Sequence, residues 1–98
     1  MARLNLDPLL TLPDGSQLVV STQFSGEGSF TCELFLARSR FGGQWEFDSV
    51  SGHMQRPSSM DAQDFAYGAA QRLYPDMKDG IKKPPYLIWS GPHRKNLT

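Results

Sequence analysis

Apolar and polar residues alternate with a period of two along much of the first half of this chain, and a 3.6-residue stripe replaces that alternation after residue 58. The first pattern predicts strands and the second an amphipathic helix. Leu9, Leu10 and Leu12 precede Pro13-Asp14-Gly15, and Leu18, Val19 and Val20 follow it. Proline presets φ, aspartate bonds its own backbone and glycine accepts positive φ, so these three residues predict a hairpin turn. Pro8 makes the first strand an edge strand. The second strand is expected over residues 17–24, with Leu18, Val20, Thr22 and Phe24 inward. The third covers residues 30–37, with Phe30, Cys32, Leu34 and Leu36 on a uniformly apolar face. Phe35 breaks the rule on the other face and is read as either covered or a contact residue. The fourth covers residues 44–50, setting Trp45 and Phe47 against Glu46 and Asp48.

Ser58 and Ser59 followed by Asp61 predict a helix start, and Pro75 predicts its end. Ala62, Phe65, Ala66, Ala69 and Leu73 form a narrow stripe of mostly small residues that suits close packing on a sheet. The expected fold is α+β: an antiparallel four-stranded meander packed against one C-terminal amphipathic helix, with a short fifth strand at residues 86–89. The predicted core is Leu18, Val20, Phe24, Phe30, Cys32, Leu34, Leu36, Trp45, Phe47, Phe65, Ala66, Ala69 and Leu73. Residues 1–92 make one compact domain in this reading, and 93–98 a polar tail.

Ninety-eight residues suit a single domain. Ten Lys and Arg balance ten Asp and Glu. A nucleic-acid binder ordinarily carries a basic excess, so this balance argues against that class. A net charge of zero gives little colloidal repulsion and favours a protein partner or a homodimer formed through an edge strand. One cysteine excludes an internal disulfide and a cysteine-rich zinc site. The first twelve residues, with one basic residue, Asp7 and Pro8, do not resemble a signal peptide, and the apolar runs are too short to span a bilayer. The expected setting is the cytoplasm, away from membranes.

Cofactors, metal ligands and catalytic residues find no support in the residue spacing. Cys32 falls on an apolar strand face, where free cysteine packs as a small hydrophobe. Asp76 and Asp79 lack the oxygen ligands of a calcium loop. No glycine pattern matches a phosphate loop or a nucleophile elbow. His53, with Asp48 and Arg56 nearby, offers one enzymatic alternative, a small hydrolase or nuclease. Its only possible histidine partner, His93, lies in the tail.

Two binding surfaces remain. Arg38, Arg40, Phe41, Lys82 and Lys83, with Trp45, would form a basic, aromatic patch for nucleic acid if the loops converge. Glu33, Phe35, Glu46 and Asp48 would form an acidic face with an aromatic anchor, which repels phosphate and suits a protein partner. The second is preferred. The expected function is that of a small non-enzymatic interaction module, a regulator or inhibitor that occludes a partner protein. Bacterial and phage-encoded regulators of this size, anti-CRISPR inhibitors among them, supply a size-class analogy only.

Overall fold

The computed structural model describes residues 6–26, 28–39 and 44–91. Its elements run β1 (Leu10–Thr11), β2 (Gln17–Gly26), β3 (Ser29–Ser39), β4 (Trp45–Ser49), β5 (Met54–Arg56) and α1 (Ser59–Leu73), followed by a 3-10 turn at Pro75–Gly80. The strands form one antiparallel sheet in the order β1-β2-β3-β4, with β5 also paired to β3. The meander and its single helix therefore have the expected α+β architecture. The fifth strand is Met54–Arg56 rather than residues 86–89. The predicted tail at residues 93–98 lies outside the described residues.

The Pro13-Asp14-Gly15 turn is built as its chemistry dictates. Leu12 N–H donates to Ser16 C=O at 2.8 Å, and Gly15 adopts φ +93°. Asp14 Oδ1 accepts from Ser16 N–H at 2.9 Å, and this bonding to Ser16 lowers the Asp14 carboxyl from its ordinary value. The turn fixes the register Leu10↔Leu18, and β2 then pairs with β3 through Leu18↔Leu36, Val20↔Leu34 and Thr22↔Cys32. Those partners face α1.

Ser58 caps α1, accepting from Asp61 N–H at 3.1 Å. The core beneath the helix joins Leu9, Leu10, Leu18, Val20, Cys32 and Leu34 to Ala62, Ala66, Ala69, Ala70, Ile81 and Tyr86. Each fully buried leucine contributes about 1.5–3 kcal/mol through its removal from water. The small alanine face lets the helix sit close to the sheet.

The helix is rotated relative to the predicted stripe. Its buried residues are Ala62, Gln63, Ala66, Ala69 and Ala70. Phe65 is half-buried at the rim beneath the Arg56 guanidinium, 3.8 Å from its ring centroid, and Leu73 is exposed. The rotation brings Gln63 inward, where it makes the hydrogen bonds described below. Phe24, predicted to be core, is 63% exposed and stacks edge-on with the half-buried Phe30 at 5.4 Å between centroids.

Val19, Phe35 and Ala37 are also buried, but they stand on the opposite, helix-free face of the sheet. There Phe35 packs edge-on against Phe47 and Trp89. Among the described residues, no helix is long and apolar enough to cross a membrane.

Candidate functional site

The helix-free face is shaped by a break in the sheet. β4 ends its pairing at Phe35↔Ser49, and β5 begins at Cys32↔Met54. Four residues, 50–53, therefore face only two on β3, Glu33 and Leu34. An excess of this kind bends a strand and re-aims its side chains. Local hydrogen bonds hold the bulge. Val50 N–H donates to Leu34 C=O at 2.9 Å, and the Ser51 hydroxyl stands in for the missing ladder acceptor by taking Leu34 N–H at 2.9 Å. Gly52 supplies the positive φ of 75° that turns the chain.

The bulge directs two side chains onto Glu33. Ser49 Oγ donates to Glu33 Oε2, and His53 Nε2 lies 3.2 Å from Glu33 Oε1. The carboxylate is largely covered, with its side chain 15% exposed, whereas the imidazole is 70% exposed. A partly desolvated carboxylate needs such donors.

The second wall is the segment at residues 86–91, which runs along the edge of β2 beyond β1. Gln63 anchors it: Oε1 accepts from Tyr86 N–H at 2.9 Å, and Nε2 donates to Tyr86 C=O at 3.2 Å and to Thr22 Oγ1 at 3.3 Å. Thr22 N–H donates to Trp89 C=O at 2.7 Å. Burial of Tyr86 pushes its phenol well above the ordinary value, and the hydroxyl donates to Lys82 C=O at 2.6 Å. Trp89 is thereby held against Phe35 and Phe47, with ring centroids 5.9 and 5.3 Å away.

Between these walls lies a groove of about 390 Å³, floored by Glu33 and Phe35 and edged by Phe47, Ser49, His53 and Ser90. A second cleft of about 340 Å³, reaching Thr31 and Gln55, shares Gln23 and His53 with it. Among the described residues, neither is lined by Lys or Arg.

Of the four residues predicted to form an acidic face, only Glu33 and Phe35 share one. The register Leu36↔Asp48 and Arg38↔Glu46 places Glu46 and Asp48 on the helix side of the sheet, so the four do not form a single surface. Phe35 is buried against other aromatics rather than offered as an anchor. Phe47 and Trp45, predicted to be core, are half-buried on the helix-free face.

The basic patch is divided as well. Arg38 Nη1 lies 3.6 Å from Asp48 Oδ2 on β3 and β4. Lys82 is tied to Asp7 on the far side of β2, where its N–H donates to Leu9 C=O. Lys83 is exposed. Arg40 and Phe41 lie outside the described residues.

His53 meets Glu33 rather than Asp48 or Arg56, and His93 lies outside the described residues. Glu33 stands between Ser49 and His53, so the serine proton points to the carboxylate instead of the imidazole. That is not the nucleophile–base contact used in acyl transfer. Cys32 is fully buried on the helix side, where its thiol donates to Ala62 C=O at 3.0 Å and desolvation pushes it up to about 11. Among the described residues, no three His, Cys, Asp or Glu side chains assemble to hold a metal ion.

Ser49 and Ser90 carry no signal in the sequence that marks them as site residues. Ser49 enters through the register of β4, and Ser90 through a long-range return of the chain. Comparison with protein-family models, with curated proteins and with solved structures finds no match to this chain.

Proposed function

We propose that this chain is a non-enzymatic protein-interaction module, a regulator or inhibitor that occludes a partner through the helix-free face of its sheet. The observation that carries the reading is the composition of the groove: hydroxyls, an amide, an imidazole, one carboxylate and the rings of Phe35 and Phe47, without a lysine or arginine among the described residues. Aromatic groups beside adaptable polar groups favour protein recognition, and the absence of cations in the lining disfavours phosphate. The Ser49–Glu33–His53 order supports binding over nucleophilic chemistry.

Affinity capture from a host lysate with two variants tests the proposal. Gln23→Lys adds bulk and charge to the groove from an exposed position. Glu46→Lys makes a similar change on the opposite face. A specific protein should be captured by the wild type and by Glu46→Lys but lost with Gln23→Lys. Equal capture by both variants, or recovery of nucleic acid alone, would overturn the assignment.

A further inference from the structure

We infer that the groove over Glu33 receives a cationic side chain, arginine or lysine, presented by the partner protein. This rests on the interaction reading above and gives the partner a chemistry.

Glu33 is the one carboxylate among the described residues lining either cleft, and neither cleft has a Lys or Arg to neutralise it. Oε2 accepts from Ser49 Oγ, and His53 Nε2 stands 3.2 Å from Oε1. An ionised carboxylate offers about four acceptor sites, so roughly two remain. The largely covered position lowers the local dielectric and strengthens attraction to an incoming cation.

The exposed His53 imidazole already occupies one such position. Oε1 is thus within reach of a nitrogen that approaches from the groove. Displacing His53 would leave a guanidinium free to use both carboxylate oxygens, the two-pronged geometry that arginine favours. The Phe47 and Trp89 rings line the same end of the face, and aromatic faces attract cations. Gln23 and Gln55 lie along the joined clefts and extend their polar lining away from Glu33. An anionic ligand would meet Glu33 without a compensating cation.

The test is an NMR titration of the full, isotope-labelled chain with blocked tetra-arginine, tetra-lysine and tetra-glutamate peptides. The basic peptides should shift the amides of Ser21, Gln23, Glu33, Ser49 and His53. Glu33→Gln should weaken that binding about tenfold or more, the loss expected of a hydrogen bond to a charged group. Gln23→Lys should do the same while leaving the carboxylate and its bulge intact. Glu46→Gln, on the opposite face, should have no effect. His53→Ala should tighten binding by removing the competing nitrogen at Oε1. Equal binding to the tetra-glutamate peptide, no loss in Glu33→Gln and Gln23→Lys, or no shifts at all would overturn the inference. If the basic peptides fail while Gln23→Lys still abolishes partner capture, the cation site falls and the interaction reading stands. If capture is also insensitive to Gln23→Lys, both fall.

Discussion

Gln63 holds Tyr86 by both of its backbone polar groups, accepting its N–H at 2.9 Å and donating to its C=O at 3.2 Å. One helical side chain thus does for residues 86–91 what a neighbouring strand would otherwise do. Gln63→Leu should leave both backbone groups buried and unpaired, at a cost of about 2–4 kcal/mol. Urea denaturation would measure the loss. Amide exchange should show lost protection at Thr22, whose N–H is bound by Trp89. Unchanged protection there would mean the segment is held by other contacts.

Gly52 sets the geometry of the bulge. A Cβ at this position meets nothing within 4 Å, so the cost of Gly52→Ala is backbone strain at φ +75° rather than a clash. That cost is about 1–2 kcal/mol. The thermal midpoint should fall, and the nitrogen chemical shifts of the His53 ring should change as its contact with Glu33 loosens. A variant with wild-type His53 shifts would show that the bulge tolerates a different turn.

Cys32 gives the fold a dependence on alkaline pH. Its folded value, about 11, lies above the ordinary 9.0 of a solvated thiol. The native state therefore retains a proton that the unfolded chain releases. This contribution is fully present below pH 9 and is lost as pH rises through 11. Two units correspond to roughly 2–3 kcal/mol. Denaturation midpoints measured from pH 8 to 11 should decline more steeply for the wild type than for Cys32→Ala. Parallel profiles would contradict the assignment.

Ser58→Ala should remove the cap on α1 and cost about 1 kcal/mol. In a domain of 98 residues this corresponds to a fall of about 4–8 °C in the melting midpoint. Ser58→Asp should restore most of the loss, because aspartate accepts the same amide.

The alternation in β3 made its faces readable: Cys32 and Leu34 are buried under the helix as their period requires. The Pro13-Asp14-Gly15 turn and the cap at Ser58 were equally legible, because both are local chemistry. The phase of β4 was legible, since Trp45 and Phe47 do oppose Glu46 and Asp48. Its register was not. Period alone does not say which half of a strand meets the helix, and a one-residue slip exchanges the faces. The burial of Phe35 depends on Trp89, more than fifty residues away. β5 has three residues, too few to display a period. Gln63 is not legible as a core residue, because a polar residue beside an alanine stripe ordinarily marks the solvent side.

The interruption between β4 and β5 also governs how this protein meets copies of itself. Open strand edges are templates for aggregation, because unpaired backbone groups recruit further strands. Here an incoming strand can align with five residues of β4 or three of β5 before the kink at residues 50–53 ends the match. On the other side, β1 and the segment reaching Trp89 already occupy stretches of the β2 edge. The same irregularity that aims His53 at Glu33 therefore limits runaway strand addition, so a protein with no net charge to keep its copies apart carries a geometric safeguard in its backbone.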